Sequence, residues 1–213
     1  MTEALQSPSA AAGYVNACGT DKARESIADH YGVISPDQVI VANGCSGALE
    51  LALTSLLDDD TYLLVPCPAF PLYEVIVKSH GANIAHYNLL HDKGWECDLN
   101  HLEQVICELL KNNNKNIRCP IRGIMINNPG NPTGSVFSVQ HMIDLLQLSQ
   151  KYHIPIISDE IYGNLTFGDA QFQSIIQVAS KYQLYTPLIV VSGIGKQFLV
   201  PGWRVGWIVF YDE

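Results

Sequence analysis

Charge is scarce in this chain of 213 residues: 15% is Asp, Glu, Lys or Arg, against 47% hydrophobic residues. That balance excludes a disordered chain and implies a globular protein that buries a sizeable core. Basic residues are scarcer still, 12 Lys and Arg against 21 Asp and Glu, for a net charge of −9. With no basic stripe, neither a nucleic acid nor an anionic membrane surface finds a footing. The polar run at positions 111–116 reads as a surface loop. No stretch approaches the ~20 apolar residues of a membrane-spanning helix. Positions 1–12 carry no apolar signal core and no Arg-rich amphipathic pattern, so the expected compartment is cytoplasmic.

The spacings of metal and disulfide chemistry are missing too. The 6 cysteines, at positions 18, 45, 67, 97, 107 and 119, form no CxxC pair, and the 7 histidines show no HExxH. No metal site is expected, and unpaired thiols point to a reducing compartment. A GxGxxG dinucleotide fingerprint is absent. Gly193-Ile194-Gly195-Lys196 fails as a phosphate-binding P-loop, because Val190 stands where the first glycine belongs and Gln197 where Ser or Thr should follow the lysine.

What is present is alternation. Strand-like runs at Val39–Ala42, Thr61–Val65 (ended by Pro66), Ala82–Leu90, Gly123–Ile126, Ile154–Ile157, Leu188–Val191 and Trp207–Phe210 take turns with helical patterns. The helices are expected at Gly47–Leu57, Phe70–Ser79, Asp98–Leu110 and from a Ser138 cap through Tyr152. This order predicts an α/β fold of three αβα layers around a mostly parallel sheet. No Gly/Pro-rich linker divides the chain.

Two buried runs end in polar residues. Asp159 follows Ile154–Ile157, and Lys196 follows Leu188–Val191, which brings both to the crevice where α/β sheets place ligands. A lysine there is rare without a task, since burying its ammonium is costly. A carboxylate and a lysine at strand ends match the needs of pyridoxal phosphate: the lysine forms the Schiff base and Asp159 pairs the pyridinium nitrogen. Around them, Asn43–Leu49 is a small-residue turn opening a helix, with Cys45 and Ser46 suited to a phosphate. Arg204 offers a fixed positive charge to the same group. Tyr162 and Asn131 can bond the ring's phenolic oxygen, and Phe70 can stack on its face. Taken singly, a Gly/Ser turn, a core phenylalanine and a paired arginine are all ordinary. Their co-occurrence carries the reading.

These segments resemble the class I/II, fold-type I pyridoxal phosphate aminotransferases. The resemblance rests on Asn128–Ser138, Asp159–Gly163 and Lys196–Trp207, in that order, and Tyr87–Leu90 with Trp95–Leu99 is similar to the branch that acts on tyrosine. It implies a large cofactor-binding domain at 31–213, preceded by part of an N-terminal segment at 1–30. It implies catalytic roles for Lys196, Asp159 and Tyr162, and cofactor contacts from Cys45, Ser46, Phe70, Asn131, Asp159, Tyr162, Lys196 and Arg204. Tyr14 matches a tyrosine that reaches the phosphate across a homodimer interface. The activity implied is ping-pong transfer of the amino group of tyrosine or another aromatic amino acid to 2-oxoglutarate. Small amino and 2-oxo acids are the partners.

Two departures accompany it. Gly193 stands where many relatives have a serine, which puts one phosphate contact in question. The family's small C-terminal domain, with the arginine that grips the substrate carboxylate, is not among these residues, so weak turnover or none is expected. The alternatives are a cofactor-binding chain without turnover, a subunit-docking partner, or a carbon–sulfur lyase of the same fold.

Overall fold

The computed structural model describes residues 13–32, 34–113 and 119–212. Positions 1–12 of the expected N-terminal segment at 1–30 and positions 114–116 of the polar run therefore lie outside the described residues. Eight strands form one sheet in the order β1-β8-β7-β6-β5-β2-β3-β4. They are β1 Val39–Asn43, β2 Tyr62–Cys67, β3 Asn83–Leu90, β4 Glu96–Cys97, β5 Ile121–Asn127, β6 Ile156–Asp159, β7 Leu188–Gly193 and β8 Val205–Tyr211. The pairs β3/β2, β2/β5, β5/β6 and β6/β7 are parallel, whereas β8 runs antiparallel to both β7 and β1, and β4 antiparallel to β3. The sheet is mostly parallel, as expected.

Seven helices among the described residues cover it: α1 Asp21–Tyr31, α2 Gly44–Leu56, α3 Leu72–Ser79, α4 Leu99–Lys111, α5 Val139–Tyr152, α6 Ile175–Tyr182 and the short α7 Ile194–Gln197. Alternate strand residues sort them into layers. Leu63, Val65, Met125, Ile157, Ile189, Val191 and Ile208 face a core built with α2 and α3, including Leu49, Leu53, Tyr73 and Val77. Leu64, Ile124, Ile126, Ile156, Val190 and Val209 face a core built with the other long helices, including Ile27, Leu102, Met142, Leu145 and Ile176. Strands covered on both faces read as continuous apolar runs, which is why β6 and β7 were legible. Helix α1 crosses the expected 30/31 boundary and packs Ile27, Ala28 and Tyr31 into the same core as the sheet.

Some limits shift. Pro66 does not end β2, which continues to Cys67. The ladder to β5 stops at Leu64, so a missing N–H two residues later removes no bond on that flank. β6 begins two residues later than expected and ends on Asp159 itself. Pro155 stays outside the strand, its carbonyl accepting from Ile124 N at 2.9 Å. α2 begins at Gly44, three residues early, which puts Cys45 and Ser46 inside its first turn. No described helix is long and apolar enough to cross a membrane.

Candidate active site

The parallel strands deliver their carboxyl ends to one edge. There β5 ends on Asn127 and β6 on Asp159, β1 runs into α2, β7 runs into α7, and Arg204 immediately precedes β8. A cavity of about 380 Å³ opens at this edge. Its lining includes Cys45, Ser46, Phe70, Asn131, Asp159, Tyr162, Lys196 and Arg204, so the fold gathers residues up to 159 positions apart (45 to 204). Tyr14 is the exception. It is fully exposed in the single chain and does not line the cavity.

At one end lies the N-terminus of α2. Asn43 lends its first turn no side-chain hydrogen bond, and first-turn amides have no intrahelical acceptor, so they remain open to an anion. The Arg204 guanidinium lies over Gly44, donating to the carbonyls of Pro201 and Asn43 at 3.3 Å each. Close approach explains the glycines. A Cβ on Gly44, whose φ is +69°, would stand 2.5 Å from Arg204 Nη2, and one on Gly206 would stand 2.3 Å from the Gly44 carbonyl carbon. Gly193 fits the same pattern. A Cβ there would lie 2.7 Å from Val205 O, so the serine of many relatives has no room as β8 is placed.

Asp159, the last residue of β6, also lines the cavity and is 3% exposed. Tyr73 Oη donates to its Oδ2 at 2.8 Å, Ile161 N to its Oδ1 at 3.1 Å, and the Cys45 thiol to Oδ1 at 3.5 Å. Burial pushes the Asp159 carboxyl above the usual carboxylate range, and these donors pull against that rise. Burial likewise pushes up the Tyr73 hydroxyl and the Cys45 thiol, with the neighbouring Asp159 charge adding to it, so both remain protonated donors. Cys45 thus also gives its thiol to the Asp159 carboxylate, a contact the sequence did not reveal.

Lys196, Tyr162, Asn131 and Phe70 line the same cavity. Lys196 Nζ lies 5.7 Å from the Tyr162 ring centroid, and among the described residues it forms no ion pair. Asn131 is set by Asn127, whose Oδ1 accepts from Asn131 N at 2.6 Å while its Nδ2 donates to the Asp159 carbonyl at 3.0 Å. Phe70 meets Tyr73 edge-on, centroids 5.8 Å apart. Tyr73 and Asn127 escaped the sequence reading. Tyr73 follows Phe70 by three residues and reads as a core aromatic, and Asn127 stands beside the more conspicuous Asn128–Gly134 turn.

A three-layer α/β fold thus gathers a lysine, a buried carboxylate and an uncapped helix N-terminus at one sheet edge. The pattern of the family "Aminotransferase class I and II" matches residues 1–213, and the chain belongs to that family. It is 41% identical over 205 residues to a tyrosine aminotransferase of Dictyostelium discoideum, covering 94% of this chain and 46% of that protein. Against the tyrosine aminotransferase of Homo sapiens the identity is 36%, covering 94% and 42%. Among solved structures, a tyrosine aminotransferase from Leishmania infantum superposes with a TM-score of 0.87 at 29% identity, over 99% of this chain and 55% of that one. An Escherichia coli aminotransferase gives 0.86 at 27% identity, over 100% and 50%. The chain spans about half the length of the curated relatives it matches.

Proposed function

We propose that this chain is the cofactor-binding part of a pyridoxal phosphate-dependent transaminase acting on tyrosine or another aromatic amino acid, with 2-oxoglutarate as acceptor. The observation that carries the reading is the meeting of Lys196, Asp159 and the Arg204-flanked α2 N-terminus in one cavity. The cavity fits such a group. The uncapped first turn of α2 beside the Arg204 guanidinium suits a phosphate, and the buried Asp159 carboxylate suits a cationic ring nitrogen. Bound there, the cofactor supplies an aldehyde for the incoming amine and a ring that withdraws electrons from the bonds to Cα.

The residues then divide the labour. First-turn amides of α2, the Ser46 hydroxyl and Arg204 hold the phosphate. Asp159 keeps a proton on the ring nitrogen, Tyr162 and Asn131 donate to the phenolic oxygen, and Phe70 covers a ring face. Lys196 would anchor the cofactor through its amine and, as a free amine, would carry the proton taken from Cα. Tyr14 is assigned to the cofactor of a second copy in a homodimer. The 6 free cysteines suit a cytoplasmic protein. The named relatives are aminotransferases, which disfavours a carbon–sulfur lyase.

The test reads stoichiometry, so that slow turnover does not hide the answer. Cofactor-loaded chain given L-tyrosine without an acceptor should release about one 4-hydroxyphenylpyruvate per chain, and more only when 2-oxoglutarate is added. Ammonia release in step with the keto acid would count against transamination.

A further inference from the structure

Asp159 is held by a residue to which neither the sequence reading nor the family comparison gives a role. Tyr73 is 0% exposed, at the start of α3, 86 positions away from Asp159 in sequence. Packing alone does not call for its hydroxyl. The ring sits among Leu49, Leu53, Ile76 and Val77, where a phenylalanine would fill the same space. A buried hydroxyl is costly unless it is bonded, and this one donates to Asp159 Oδ2 at 2.8 Å, an ordinary hydrogen-bond length with a carboxylate as acceptor. The second carboxylate oxygen takes Ile161 N and the Cys45 thiol. Tyr73 is therefore the sole described side chain fixing Oδ2, and the same ring sets Phe70 edge-on at 5.8 Å.

We propose that Tyr73 is a positioning residue of the site: its hydroxyl locks the Asp159 carboxylate in one orientation and favours its anionic form. This rests on the reading of Asp159 as the partner of the cofactor's ring nitrogen. A carboxylate free to rotate or protonate would hold that nitrogen poorly. The groups that face Asp159 from the elements packed on it are Tyr73 from α3, Cys45 from α2, Lys196 and Tyr162 across the cavity, Arg204 before β8, and Glu160 beside it in the chain. No described cation is ion-paired with it, so hydrogen bonds carry the hold.

The experiment uses the cofactor-free chain first. The Asp159 carboxyl, labelled with carbon-13, is titrated by NMR in wild type and in Tyr73→Phe. Loss of one hydrogen bond to a charged group should raise the midpoint by about one to two units. In wild type, labelled Tyr73 Cζ should shift with that same midpoint, a readout that needs no variant. An unchanged midpoint in folded Tyr73→Phe, or a Tyr73 signal indifferent to Asp159, would overturn the proposal and leave a merely structural tyrosine. The second arm loads the chain with nitrogen-15 pyridoxal phosphate and follows the ring nitrogen. Tyr73→Phe should reduce its protonated fraction at neutral pH. A moved Asp159 midpoint beside an indifferent ring nitrogen keeps the hold of Tyr73 on Asp159 but overturns its role toward the cofactor, and with it the assigned task of Asp159.

Discussion

At the scale of single residues, burial and close approach decide most of what can be tested. Glu160 is 3% exposed, accepts from Ser158 Oγ at 3.1 Å and from Ile175 N at 3.0 Å, and ties the end of β6 to the start of α6. Burial pushes its carboxyl up to about 7 from an ordinary 4.5. A carboxyl whose folded value is raised contributes stability that is fully present below the unfolded value and is lost as pH rises through the folded one. Wild type should therefore lose stability between pH 4.5 and 7 from this group, on the order of 3 kcal/mol. Glu160→Gln keeps the acceptor for Ile175 N and should not show that loss. Urea midpoints of both proteins at the two ends of the window read the difference, and parallel curves would contradict the assignment. At Gly44, alanine places a Cβ 2.5 Å from Arg204 Nη2 at a positive φ. Gly44→Ala should weaken phosphate and pyridoxal phosphate binding at least tenfold by displacing the guanidinium, measured by calorimetry. Binding of pyridoxal, which lacks the phosphate, should change far less.

At the scale of elements, the strands and helices that mattered were those whose sequence carried a periodic or continuous pattern. Lys196 and Asp159 were legible because each follows a run buried on both faces, where a polar residue stands out. Strand direction left no such mark. Nothing in Val205–Tyr211 distinguishes an antiparallel β8 from a parallel one, so the reversal that brings Arg204 to the site edge emerged only in the fold. β4 has two residues, too few for a period to show. Tyr73 and the Cys45 thiol were hidden for another reason: their partner is remote in sequence, and each alone reads as core. Caps, by contrast, were local and readable. Ser138 Oγ accepts from His141 N at 3.2 Å at the start of α5, as expected, and also donates to Glu96 Oε1 at 2.6 Å, which links the helix to β4. Ser138→Ala should cost about 1–2 kcal/mol of unfolding free energy, the usual worth of a cap. A loss below a few tenths, by chemical denaturation, would show that Glu96 and solvent replace it.

At the scale of the whole molecule, the sheet acts as a collector. Its helices and strands differ in length and direction, yet β5, β6, β7, the β1–α2 junction and the residue before β8 all open at one edge. That convergence places the α2 N-terminus, Arg204, the buried Asp159 carboxyl and Lys196 in the lining of one cavity. The central claim is that this cavity holds pyridoxal phosphate through Lys196. The most direct measurement is borohydride reduction of the chain mixed with pyridoxal phosphate, followed by peptide mapping by mass spectrometry. The account predicts one phosphopyridoxyl group per chain, on Lys196, and none in folded Lys196→Ala. Modification spread over other lysines, or an unmodified Lys196 in a folded sample, would contradict it.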